Sequence, residues 1–83
     1  MTTPNTEMGA ITTITLRTMR AKLDEAAAIA RAAEGCVAEG QAGRGLTIAL
    51  DVEPLAIEAN QLLQGLAILS RVAREEQVEA EEL

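Results

Sequence analysis

Apolar residues in the second half of the chain recur at intervals of three and four, which is the spacing of one face of an α-helix. The series consists of Val52, Leu55, Ala59, Leu62, Leu66, Leu69 and Ala73. It predicts a helix from about residue 53 to residue 76 or beyond. Other apolar side chains, including Ile57, Leu63 and Ile68, flank this series. The apolar surface is therefore wider than one partner helix covers.

The first half of the chain carries a similar series over about three heptads. Its members are Leu16, Met19, Leu23, Ala26, Ala30, Ala33 and Val37. The segment is rich in alanine, the strongest helix former, and it predicts a helix from about residue 17 to residue 39. The glycines between Gly40 and Gly45 then end this helix, because glycine permits a positive φ and weakens helices.

Two shorter segments fit either a strand or a helix. In Leu46–Leu50 alternate residues are apolar, as in a strand, but Leu46, Ala49 and Leu50 also have helical spacing. The β-branched segment Ile11–Arg17 alternates in the same way. A lone strand would need a partner strand, so we expect both segments to be strands or both to be helical. We favour helix at Leu46–Leu50.

Small and apolar residues from the first long helix to the start of the second form one block, which consists of Ala26, Ile29, Ala30, Ala33, Ala42, Leu46, Ala49 and Pro54. The spacing of this block resembles one tetratricopeptide repeat. The chain has none of that family's aromatic positions. The resemblance implies a short helix at about residues 43–50, a turn at Asp51–Glu53 and then the long second helix.

Two long helices joined by a short linker pack as antiparallel neighbours. In this hairpin we expect Leu16 and Met19 to lie near Leu69 and Ala73. The predicted fold class is all-α, with a Gly-rich turn and a short connecting helix between two amphipathic helices. Residues 1–10 would form a flexible N-terminus, residues 11–76 a single helical domain and residues 77–83 an acidic, fraying tail. Dimerisation would complete a four-helix bundle.

The composition favours association over an independent core. The 83 residues include no aromatic residue, so the core must consist of aliphatic side chains and methionine. A chain of this size often gains stability from oligomerisation. We expect self-association through the apolar faces of the second helix, with another protein as a further partner. The predicted interface residues are Ile57, Leu62, Leu63, Leu66, Ile68 and Leu69.

The formal net charge of −6 arises in the second half of the chain. Acidic proteins are poor generic binders of phosphate backbones and anionic lipids, so we expect neither nucleic acid nor a membrane as a partner. No apolar run approaches the roughly 20 residues of a membrane helix, and residues 1–10 lack the features of a signal peptide. We expect a soluble, cytoplasmic protein.

The residue types exclude several kinds of site. The chain has no histidine and one cysteine, so it lacks Ser-His and Cys-His pairs and imidazole metal ligands. Cys36 lies on the apolar stripe, where we interpret it as a small core residue. We predict no catalytic residue, no cofactor and no metal. The predicted function is a non-catalytic, acidic helical interaction module, such as an adaptor, a small chaperone or an inhibitor.

The segment TITLR followed by an amphipathic helix resembles the start of ribbon-helix-helix repressors, over about 25 residues. In that family a short strand from each of two chains pairs across the dimer. The resemblance implies that Thr13, Thr15 and Arg17 face the major groove while Ile14 and Leu16 lie in the core. The first predicted helix is longer than that family's, and the net charge is acidic. A dimeric DNA-binding regulator is therefore the alternative function.

Overall fold

A computed structural model describes the backbone of residues 4–82 and the side chains of residues 7–79. Its elements are α1 (Pro4–Ala38), α2 (Ala42–Ala49) and α3 (Val52–Glu82). Across residues 4–82 there is no strand, which confirms the all-α prediction. The short connecting helix predicted at residues 43–50 is α2.

Helix α1 begins much earlier than predicted, at Pro4 rather than near residue 17. Proline is well suited to a first helical position because its missing N–H would be unpaired there. Three threonines in this part of α1 turn their hydroxyl groups back to the helix. Thr13, Thr15 and Thr18 donate to carbonyl oxygens four residues earlier, at 2.8, 2.8 and 3.0 Å. The strand alternative for Ile11–Arg17 is therefore wrong.

The turn between α1 and α2 needs only one glycine. Gly40 has a φ of +84°, which glycine adopts without steric cost. The N–H of Gly40 donates to the Val37 carbonyl oxygen, and the N–H of Gln41 donates to the Cys36 carbonyl oxygen. This pair of bonds is the Schellman arrangement that ends many helices. Gly43 and Gly45 lie within α2, in agreement with the short helix predicted at about residues 43–50.

Helices α2 and α3 lie one after the other along α1, and both run antiparallel to it. Gly45 of α2 contacts the last turns of α1, and Glu58 of α3 forms an ion pair with Lys22 near the middle of α1. A bend at Leu50–Asp51 separates the two helices, and the N–H of Asp51 donates to the Ile48 carbonyl oxygen at 3.0 Å.

The register of α1 against α3 differs from the expectation by about one heptad. Leu69 and Ala73 line a groove together with Met8 and Thr12, rather than lying against Leu16 and Met19. The physical reason is α2, which packs on the end of α1 and takes the place that the start of α3 was expected to occupy. Helix α3 is therefore displaced toward the N-terminus of α1.

The inward face of α3 was predicted correctly. All seven members of its apolar series are buried or half-buried. On α1, Met19, Ala26 and Ala33 lie inward as predicted, but Leu16 and Leu23 are exposed. In each heptad the residue that precedes the exposed apolar one lies inward instead. These inward residues are Thr15, Lys22, Ile29 and Cys36.

The hairpin is long and narrow. Its extents are 66 × 23 × 16 Å and its radius of gyration is 19.1 Å, whereas a compact chain of this length would have about 12 Å. The buried apolar residues are Ala26, Ala33 and Ala59, and no large side chain among residues 7–79 is fully buried. The interface between α1 and α3 is therefore thin.

Candidate protein-interaction surface

Large apolar side chains are exposed along the whole hairpin. Among residues 7–79 they are Ile11, Ile14, Leu16, Leu23, Val37, Leu46, Leu50, Ile57, Leu63, Ile68, Val72 and Val78. Single exposed apolar residues are common in proteins, but a continuous apolar surface indicates an interaction site. The arrangement of these residues on the two long helices therefore decides whether a site exists.

The six predicted interface residues divide between two faces of α3. Leu62, Leu66 and Leu69 are half-buried on the face that packs against α1. Ile57, Leu63 and Ile68 are 50%, 53% and 52% exposed. The first group holds the hairpin together, and only the second group is free in this structure to contact another chain.

Four exposed apolar residues of α1 repeat at intervals of seven along one side of the hairpin. They are Leu16, Leu23, Ala30 and Val37. The equivalent positions of α3 are Ala56, Leu63, Ser70 and Gln77. In an antiparallel pair these positions lie on the same side of the interface between the helices. We call these eight residues the uncharged flank, because none carries a charge.

The opposite side of the hairpin carries charges. Lys22 and Glu58 form their ion pair there, and Glu25 and Glu79 occupy equivalent exposed positions on the two helices. The hydrogen bond to the Glu58 carboxylate raises the pKa of Lys22 above its usual range. We call this side the charged flank, which also contains Ile11 and Val72.

The uncharged flank has a charged rim whose sign changes along the hairpin. Arg74 lies on the rim toward the open end of the hairpin, where α1 begins and α3 ends, and Arg20 lies near the middle of the hairpin. Glu34 and Glu53 lie on the rim toward the turn between α1 and α2. All four side chains are exposed. The rim is therefore basic in one half and acidic in the other.

The sequence did not identify Leu16 and Leu23 as surface residues. Their spacing with Met19 and Ala26 is that of an inward face, so the two leucines were assigned to the contact with the second helix. The polar residues Thr15 and Lys22, also seven apart, lie inward in their place. No signal in the α1 sequence distinguishes the two possibilities, because the choice depends on how α3 packs.

The residues of the DNA-binding alternative lie within α1. Thr13 and Arg17 are exposed and Thr15 is half-buried against α3. A ribbon-helix-helix contact needs these residues on a strand that pairs with a second chain, and here their backbone is helical. The structure therefore does not supply the element on which that alternative depends.

Within the described part of the chain, no group of three His, Cys, Asp or Glu side chains has an arrangement that could hold a metal ion. Cys36 is half-buried and has a free thiol, and it lies beside Gly45 of α2.

Comparisons with known proteins add no relatives. No protein-family model matches the sequence, no curated protein matches it, and no solved structure matches the fold. None of the helices in the described residues combines the length and apolar character needed to span a membrane.

Proposed function

We propose that this protein is a non-catalytic helical interaction module that self-associates, two hairpins forming a four-helix bundle. The observation that supports the proposal is the thin interface between α1 and α3. Within residues 7–79 the hairpin buries alanines but no large side chain, while leucine and isoleucine side chains remain half exposed. An adaptor, a small chaperone or an inhibitor would use the same apolar surface for another protein's helix.

The accessible surface area supports the same proposal. The chain exposes 6386 Å², whereas a compact monomer of its mass exposes about 4,700 Å². A stable protein interface buries about 800 Å² on each partner. The excess of about 1,700 Å² is therefore large enough to supply such an interface twice over.

Sedimentation equilibrium and light scattering would test the proposal on the full chain. Between about 1 and 200 μM, a range in which moderate dimers associate, we expect the mass to rise from the monomer value of 8.7 kDa toward twice that value. Helicity measured by circular dichroism should rise over the same range. A chain that stays monomeric and fully helical throughout would overturn the proposal.

A further inference from the structure

We propose that a second copy of this chain docks on the uncharged flank, with the two hairpins antiparallel to each other. This inference rests on the proposed self-association and adds which side of the hairpin is used and in what orientation. It also distinguishes among the exposed apolar residues, because Leu16, Leu23 and Leu63 lie on this flank, whereas Ile11 and Ile68 do not.

Charge selects the flank. Docking through the charged flank would bury Glu25 and the ion pair of Lys22 with Glu58, and removing charges from water is costly unless new partners are supplied. Docking through the uncharged flank buries leucine, alanine and valine side chains with no carboxylate or ammonium group among them. The uncharged flank is therefore the side on which burial is favourable.

The charged rim selects the orientation. If the two hairpins pointed in the same direction, the basic half of one rim would face the basic half of the other. In the antiparallel arrangement, Arg74 of one copy faces the half of the partner's rim that carries glutamates, whereas Arg20 lies close to the two-fold axis. Complementary charges of this kind set the orientation of an interface more than its affinity.

The antiparallel arrangement also gives a closed set of apolar contacts. The two-fold axis of this dimer runs perpendicular to the length of the hairpins, level with the midpoint between Leu16 and Leu23, so that Leu16 of one copy contacts the partner's Leu23. The α1 helix of each copy then packs against the α1 helix of the other, and the two α3 helices contact each other near Leu63. Such an interface uses the same surface on both copies, so it closes at a dimer.

The flank is tested with two matched pairs of variants. Leu23→Glu is compared with Ile11→Glu, and Leu63→Glu with Ile68→Glu. The members of each pair lie on the same helix, and their exposed fractions are 48% and 51% in the first pair and 53% and 52% in the second. All four residues are exposed in the hairpin, so each variant should keep the helicity that the wild type has when it is dilute and monomeric.

We expect Leu23→Glu and Leu63→Glu to raise the dimer dissociation constant by at least about 100-fold, because each would bury an unpaired carboxylate. Ile11→Glu and Ile68→Glu should change it by less than about threefold, as exposed substitutions usually do. Equal effects within each pair would overturn the assignment of the flank while leaving self-association intact.

The orientation is tested by distances between spin labels. Each label is placed on a single cysteine in a Cys36→Ala background, either at Glu75→Cys near the open end or at Arg44→Cys in α2. From the helical rise, the antiparallel dimer predicts label separations of about 40 Å for residue 75 and about 50 Å for residue 44.

Hairpins that point in the same direction would give short separations at both positions, below about 25 Å, because packed helices lie only 8–10 Å apart. That result would overturn the orientation but not the dimer. Two long separations, together with the selective effects of Leu23→Glu and Leu63→Glu, would establish the inference. A monomer at every concentration would overturn the proposed function as well.

Discussion

Gly45 of α2 lies directly against the backbone of Ala33 in α1. A Cβ atom at residue 45 would lie 2.8 Å from the Ala33 carbonyl oxygen and 2.9 Å from a methyl group of Val37. Because a backbone oxygen cannot move aside as a flexible side chain can, the two helices can approach this closely only with glycine at this position. This contact fixes α2 on the end of α1.

Gly45→Ala should therefore destabilise the fold. Overpacking of this kind costs about 1–3 kcal/mol, which exceeds the gain of up to about 1 kcal/mol from placing alanine in a helix. Urea denaturation followed by circular dichroism at one protein concentration would measure the net effect.

Gly43→Ala is the matched control, since it lies in the same helix and an added Cβ meets nothing within 4 Å. We expect this variant to be as stable as the wild type or more so. If the two variants were equally stable, α2 would not be held against α1 at this distance.

Gly40→Ala should also lower stability, for a different reason. The φ of +84° at Gly40 lies in a region where an L-residue with a Cβ pays about 1–2 kcal/mol. Gly35→Ala, in α1 with open space around the added Cβ, should instead stabilise by up to about 1 kcal/mol. Thermal melting of both variants would check this, and opposite signs are the expected result.

The inward face of α3 could be predicted from sequence because its apolar residues leave little choice. From Leu55 to Ala73 the inward positions are leucine or alanine, while glutamate, asparagine, glutamine and arginine occupy much of the remaining surface. Turning any other face of α3 toward α1 would bring some of these polar side chains into the contact. The burial of Leu62, Leu66 and Leu69 follows directly.

The inward face of α1 could be predicted only in part. Met19, Ala26 and Ala33 are flanked by Leu16 and Leu23 on one side and by more polar residues on the other, and the series on the leucine side is the more apolar. In the hairpin, α3 packs against the more polar side of α1, where Lys22 forms its ion pair with Glu58. Periodicity within a single helix cannot show which side its partner takes.

The start of α1 and the register of the hairpin could not be predicted from sequence patterns. β-Branched residues have weak helix propensity, and the contact of Met8 and Thr12 with α3 that supports this first part of α1 exists only after folding. The register depends on α2 folding back on α1, which in turn depends on a short contact at Gly45. The uncharged flank depends on these features, so Leu63 is the one residue of the flank that was among the predicted interface residues.

Because of the ion pair between Lys22 and Glu58, the stability of the fold should decrease as the pH rises through the alkaline range. The hydrogen bond to Glu58 raises the pKa of Lys22, so the folded state holds this proton more tightly than the unfolded state. The contribution is complete below the ordinary lysine pKa of about 10.4 and is lost as the pH rises through the raised value.

We therefore expect the melting temperature of the wild type, relative to that of Lys22→Met, to fall between about pH 9 and about pH 12. The comparison removes effects of other groups that titrate equally in both proteins. A difference that stays constant over this range would contradict a stabilising ion pair.

Thr12→Leu should stabilise the hairpin by filling a groove. Thr12 is half-buried, and the groove that it lines with residues of α3 has a volume of about 220 Å³. Filling such a space commonly adds about 0.5–2 kcal/mol. Thr18→Leu, at an exposed position of α1, should change the free energy of unfolding by less than about 0.5 kcal/mol. Equal free energies of unfolding for the two variants would show that the groove is not part of the interface.

Leu66→Asp and Leu63→Asp should separate folding from association. Leu66 is half-buried in the interface with α1, so an aspartate there should cost about 3 kcal/mol or more and lower helicity at every concentration. Leu63 is 53% exposed, so its variant should keep the helicity of the dilute wild type and lose only the rise in mass at high concentration. Circular dichroism and sedimentation equilibrium on the same samples would distinguish the two effects. If both variants unfolded alike, the hairpin would have no stability of its own, and the two faces of α3 would form one cooperative core.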